Sequence, residues 1–275
     1  MLSVISNVNS IDAQRNLSNT QTMLSGTLQK LSSGMRVNSA KDDAAGLGIS
    51  VNLESDIRSY TQASRNANDG ISVAQTAEGA LNQTSNIITR LRELAMESAS
   101  DGISDTQRKY VQTEATQLTS EVDRIAQDTT YNGAALLNSS SGTLHFQVGI
   151  GSSATNDRIS VKTLDATSAT LLGSAALDFS TASGAVSALS KLDSALNTIS
   201  DDRSNLGAIS NRLSSAASTI STISENLSAA DSRIRDVDVA TETSNMSRLN
   251  VLSQAGVSVL AQANQQPQIA LKLLQ

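Results

Sequence analysis

Few residues in this chain have the means to do chemistry, and their neighbours do not support it. The one histidine, His145, stands in an alternating run, with no second histidine and no cysteine to share a metal ion. Gly149-x-Gly151-x-x-Ala154 follows an apolar stretch and has the outline of a dinucleotide-binding loop. Such a loop needs a helix next, opening at the pyrophosphate, whereas Arg158-Ile159-Ser160-Val161 alternates as a returning strand. The glycines are therefore expected in a turn. The pair Asp42-Asp43 has the charge to hold a cation, but acids near a helix start more commonly serve the helix dipole. Asp236 and Asp238 read the same way. No serine–histidine–aspartate set, phosphate-binding loop or paired-histidine zinc helix is present. The expectation is a protein without enzymatic activity, cofactor or metal.

What the sequence does carry is helical patterning. Apolar residues recur at helical spacing near the start, at Val4, Val8, Ile11, Leu17, Leu24, Leu28, Leu31 and Met35. They recur again near the end, at Val239, Met246, Leu249, Leu252, Val259, Ala263, Ala270 and Leu273. Amphipathic helices are marginal alone and need an apolar partner. The two ends are expected to pack on each other or on copies of themselves.

Between them, residues 34–56 read as a mixed turn-and-helix stretch and residues 58–99 as a helix with Leu81, Ile88, Leu91 and Ala95 on one stripe. Asp105 is expected to cap a further helix with its stripe at Val111, Ala115, Leu118, Val122 and Ile125, ended by Asn132-Gly133. Leu144, Phe146 and Val148 alternate with polar residues, as do Ile159 and Val161, which predicts a β-hairpin. After Gly184 a stripe from Leu189 to Leu227 predicts the longest helix. The fold class is mainly α: long helices in a nested, coiled-coil-like bundle with a small β-hairpin. The predicted domains are residues 1–45 with 233–275, a terminal-helix domain, and residues 46–232, a helical rod with its β insert at about 139–182.

Composition agrees. Aromatic residues are 2% of the 275, so the apolar share of Ala, Leu, Ile and Val suits narrow helix–helix seams. A single proline, Pro267, leaves room for very long helices. The net charge of −6 argues against nucleic-acid binding. No run approaches the roughly 18 apolar residues of a membrane span. Residues 249–271 carry no charge but are too rich in Gln and Asn to face lipid. A cleaved secretory signal is not expected, since no basic residue precedes Arg15.

Specific motifs go further than periodicity. The stretch Leu31-Ser32-Ser33-Gly34-Met35-Arg36-Val37-Asn38-Ser39-Ala40-Lys41-Asp42-Asp43-Ala44-Ala45-Gly46-Leu47 resembles the N-terminal signature of bacterial flagellins. So do Ala67-Asn68-Asp69-Gly70-Ile71 and Gln75-Thr76-Ala77-Glu78-Gly79-Ala80-Leu81. Near the other end, Ser232-Arg233-Ile234-Arg235-Asp236-Val237-Asp238, Gln254-Ala255-Gly256 and Leu260-Ala261-Gln262-Ala263-Asn264-Gln265-Gln266-Pro267-Gln268 are similar to the C-terminal signature. The resemblance covers roughly residues 1–138 and 185–275 and implies a short form without outer variable domains.

The resemblance implies a subunit that polymerises into the extracellular flagellar filament, its terminal helices packed around a central export channel. Packing then falls to Val4, Val8, Ile11, Leu24, Leu28, Leu31, Leu249, Leu252, Val259 and Leu273, and the channel lining to the neutral Gln254, Gln262 and Gln265. It further implies uncleaved export by the flagellum-specific type III apparatus, an export chaperone on the C-terminal helix, and filament cap and hook–filament junction proteins as partners. Arg90, Leu94 and Glu114 match positions read by the host toll-like receptor for flagellin; the family often has glutamine where Thr89 stands. A hook–filament junction protein and a secreted coiled-coil adhesin or effector are the alternatives. Ser139 to Ser141, or Ser152 and Ser153, are candidate acceptors for sugar modification, with an unmodified polar loop the alternative.

Overall fold

The computed structural model describes residues 7–138, 142–173 and 177–273, with side chains as far as Gln266. Its elements are α1 (Val8–Ser33), α2 (Ala44–Ser98), α3 (Asp105–Asp128), β1 (Thr130–Tyr131), β2 (Ala134–Ala135), β3 (Thr143–Gln147), β4 (Arg158–Lys162), α4 (Ser168–Leu171), α5 (Ala182–Arg235) and α6 (Val239–Leu273). The chain parts into two compact units. One holds residues 1–57 and 226–275, the other residues 58–225.

In the first unit, α1 and α6 pair as antiparallel helices. The seam on α1 is Ala13, Leu17, Thr20, Leu24, Thr27 and Leu31, and that on α6 is Met246, Leu249, Ser253, Gly256, Leu260 and Ala263. Both alternate spacings of four and three, the period of a coiled-coil seam. The backbones come close at Gly256, where a Cβ would meet Leu17 Cδ1 at 3.2 Å. The linkers beyond the pair are clasped: Arg36 N donates to Arg235 O at 2.6 Å and Val237 N to Gly34 O at 3.0 Å. The Arg36 guanidinium also donates to Ile234 O, one of the carbonyls orphaned at the end of α5.

The second unit is built on buried stripes of α2, α3 and α5, including Leu81, Ile88 and Leu91, Val111 and Val122, and Leu192, Ile199 and Leu213. The β3–β4 hairpin pairs Leu144 with Val161 and Phe146 with Ile159, and puts these four on the core side as the alternation required. The glycines at 149 and 151 lie in its connection, where Asp157 closes the turn through its backbone and side chain. That is the turn expected, and no helix follows Ala154.

Several boundaries differ from the sequence reading. α2 begins at Ala44, well before residue 58, because Gly46 and Gly48 are accommodated within a helix started by Asp43, which accepts from Gly46 N at 2.8 Å. This makes α2, at 55 residues, the longest helix, ahead of α5 at 54. Ser104, rather than Asp105, caps α3, in a reciprocal capping box with Gln107. Asn132-Gly133 does not end α3, which stops at Asp128. Both residues have positive φ, 48° and 80°, and form the tight turn between β1 and β2, where such backbone angles are required.

Candidate polymerisation and recognition surfaces

In the first unit, the seam uses only part of the apolar surface of α1 and α6. Leu24 and Leu31 are half-buried in it and Leu249 is buried, 6% exposed. Val8, Ile11 and Leu28 fall outside the seam and are exposed, as are Val251, Leu252, Val257 and Val259 on α6, Val251 to 65%. The residues expected to pack at the ends therefore separate into an internal set and a solvent-facing set. Val4 and the side chain of Leu273 lie outside the described residues. A groove of about 250 Å³ runs beside the seam, lined by Ala13, Leu17, Leu252, Ala255, Gly256 and Val259.

Gln254, Gln262 and Gln265 are all exposed. At about 100° per residue they span an arc of about 80° on α6, centred opposite its seam with α1. The helix thus presents one face toward α1, one with Leu252 and Val259 open to solvent, and one with the three glutamines and, among them, Val251.

In the second unit, Arg90 on α2 joins two acids. Its Nη1 donates to Glu93 Oε2 at 3.0 Å, one turn away. Its Nε donates at 3.0 Å to Glu114 Oε1 on α3, with Nη2 at 2.9 Å from the same oxygen. These bonds, Glu93 first and then Glu114, raise the Arg90 pKa further above its already high value. All three side chains are about half exposed, so the network costs little to keep and is open to a partner. Leu94 is only 2% exposed and lies in the core beneath this surface.

Other residues do work that periodicity did not announce. Gln112 on α3 holds the strap between α4 and α5 with both ends of its amide: Nε2 donates to Leu177 O at 3.0 Å and Oε1 accepts from Phe179 N at 2.6 Å. This seats Phe179, which is fully buried. Arg108, also buried, donates to Ser98 O at 3.0 Å and Ser100 O at 2.8 Å and so caps the end of α2. The Ser104-x-x-Gln107 spacing was a readable signal; the Gln112 clamp bridges segments far apart in sequence and had none.

The acids singled out earlier have structural partners. Asp42 accepts from Ser39 Oγ and from Ser39 N, both at 2.9 Å, and these bonds lower its pKa. Asp238 accepts from Thr241 Oγ1 at 2.7 Å and Ala240 N at 3.0 Å at the start of α6. His145 meets Ser160 across the hairpin, Nδ1 to Oγ at 2.8 Å. Among the described residues no three His, Asp or Glu gather as a metal site, and no helix is long and apolar enough to cross a membrane. Ser152 and Ser153 are exposed; Ser139 to Ser141 lie outside the described residues.

Comparison with known proteins places these surfaces in context. Residues 4–142 match the bacterial flagellin N-terminal helical region, and residues 189–274 match the bacterial flagellin C-terminal helical region. A flagellin of Halalkalibacterium halodurans is 42% identical over 268 residues, 98% of each chain. A flagellar filament 30.7 kDa core protein of Treponema maltophilum is 40% identical over 280 residues, and a flagellin of Bacillus subtilis 39% over 307, each again across 98% of both chains. Among solved structures, a Bacillus cereus flagellin crystal structure superposes with a TM-score of 0.52 at 29% identity, covering 57% of this chain and 88% of the other.

Proposed function

The chain belongs to the bacterial flagellin family, the structural subunits of the flagellar filament, and from that premise we propose how its surfaces build one. The exposed apolar side chains of α1 and α6 are the contacts between copies around a central channel. The observation that carries this is Val8, Ile11, Leu28, Leu252 and Val259, open to solvent beside a helix pair whose own seam is already filled. Exposed apolar side chains recurring along paired helices whose seam is already filled support an association surface.

Leu252 and Val259 are each about half exposed, so covering either contributes about 1 kcal/mol. Replacing both with serine should raise the critical concentration for filament growth roughly thirtyfold, with the melting of the second unit unchanged. An unchanged critical concentration would remove these residues from the interface.

The neutral face of Gln254, Gln262 and Gln265 is proposed to line the channel. Uncharged amides let unfolded cargo of either sign pass without ion pairing. Replacing Gln262 and Gln265 with lysine should slow filament growth; filaments of unchanged length would count against the assignment. The same reading includes uncleaved type III export, a chaperone on the C-terminal helix, and addition beneath the cap, beyond the hook–filament junction proteins. Secretion that persists without the type III apparatus would contradict it.

Arg90 and Glu114 form the surface proposed for the toll-like receptor, with Leu94 as buried support for Arg90. Substituting Arg90 with alanine should lower receptor activation without lowering unit stability. The same substitution in assembled filaments separates this role from subunit contact.

A further inference from the structure

The only proline in the chain, Pro267, lies inside α6. A helix bonds each N–H to the carbonyl four residues back, and proline has no N–H to give. The carbonyl that loses its intrahelical partner is that of Ala263. In the structure this carbonyl accepts from Nδ2 of Asn7 at 2.8 Å, across 256 positions of sequence. Asn7 is also the N-cap of α1, where its Oδ1 accepts from Ser10 N at 3.1 Å. One side chain thus starts α1 with its oxygen and repairs α6 with its nitrogen. Ser10 Oγ donates to Asn264 Oδ1 at 2.7 Å and Asn9 Nδ2 to Gln266 Oε1 at 3.1 Å alongside it.

We propose that Asn7 and the proline-made defect at Ala263 form a register key between the two ends of the chain. The seam itself specifies register weakly. Its residues are small or aliphatic and repeat every seven positions, so a slip of one repeat keeps the spacing and is opposed within the seam mainly where Leu249 or Ala263 would replace Gly256 against Leu17. The key adds a second discrimination. Within α6, only the Ala263 carbonyl is freed by a proline: a slip of one repeat toward the middle of α6 leaves Asn7 facing the bonded Gly256 carbonyl, whereas a slip the other way carries it to the last turn, whose carbonyls also lack helical partners. The proline has a second consequence. In a helix interior it is strongly unfavourable, so α6 is penalised as a solitary helix through this turn and relieved only when α1 docks. Helix completion at one end is thereby coupled to arrival of the other.

This goes beyond filament formation but is read through it. The test is a double-mutant cycle on the full chain, extending filament seeds and measuring critical concentration. N7S keeps a capping oxygen and removes the amide donor; P267A restores the missing N–H. In the parent background N7S should raise the critical concentration roughly five- to tenfold, the effect of losing one such bond. In the P267A background the same substitution should change it less than twofold. P267A monomer should also gain helical circular dichroism. Equal effects of N7S in both backgrounds would reduce Asn7 to an ordinary cap and overturn the key. So would no effect in either background, given parent filaments that form normally.

Discussion

Two glycines in α2 should respond in opposite directions to the same substitution. Alanine in place of glycine in a helix interior contributes about 1 kcal/mol from propensity. At Gly79, nothing lies within 4 Å of the added methyl, so Gly79→Ala should keep that gain and raise the melting temperature by roughly 2 °C. At Gly70, the added Cβ would stand 3.0 Å from Leu213 Cδ1, 3.0 Å from Phe146 Cγ and 3.1 Å from Phe146 Cδ2. Leu213 is fully buried on α5 and Phe146 is held by the paired β3–β4 hairpin, so neither can withdraw cheaply. Overpacking of this kind costs about 1–3 kcal/mol, and three contacts place it toward the upper end. Gly70→Ala should therefore be net destabilising by about 1–2 kcal/mol, despite the better helix former. Thermal and urea unfolding of the full chain, followed by circular dichroism, reads both variants in one series. If Gly70→Ala stabilises as Gly79→Ala does, the hairpin does not press on α2 as the structure has it, and the reasoning fails.

Gln112→Ala removes both bonds to the strap and should cost about 2 kcal/mol; limited proteolysis should then cut near Phe179 faster, whereas an unchanged rate would deny the clamp. Leu249→Ala empties the centre of the α1–α6 seam and should cost about 2–5 kcal/mol, raising the critical concentration while the second unit melts as before. Burial, with Asp201 adding to it and Lys162 opposing, raises the pKa of Asp202. A carboxyl with a raised folded-state pKa is favoured when protonated and loses that advantage as pH rises through its folded value. Asp202→Asn should therefore stabilise the second unit at pH 7, with the gain fading as pH falls through the raised folded value and gone below about pH 4; a gain independent of pH would contradict this. Asp178, whose pKa is lowered mainly by Ser180 and then Thr181, works the other way. Its contribution holds above the ordinary carboxylate value and is lost as pH falls through the lowered folded value, so Asp178→Asn should matter at pH 7 and progressively less as the solution is acidified below the ordinary carboxylate range.

The helices and the hairpin were legible because their periods survive in one dimension. Val111, Ala115 and Val122 repeat as a helix, and Leu144, Phe146 and Val148 alternate as a strand. The seam of the terminal pair was only half legible. Thr20, Thr27, Ser253 and Gly256 sit in it although hydropathy marks none of them, because close helix approach favours small side chains. Val8, Ile11 and Leu28 read as packing residues with the covering molecule left open, because periodicity marks apolar faces without saying which molecule covers them. Asn132-Gly133 was misplaced because glycine after a helical run resembles a helix stop, and the strands it joins are two residues each. The Gln112 clamp and the Asn7 bond join residues distant in sequence through polar atoms, which leaves no local pattern. Arg90 and Glu114 came from motif resemblance, and the structure adds that they are joined while Leu94 is not at the surface.

The most direct test of the account is electron cryomicroscopy of filaments grown from the purified chain. It should show α1 and α6 as the layer around a central channel, with Leu252 and Val259 against neighbouring subunits and Gln254, Gln262 and Gln265 facing the lumen. Absence of filaments, or filaments with those glutamines buried between subunits and Leu252 open to the channel, would contradict it.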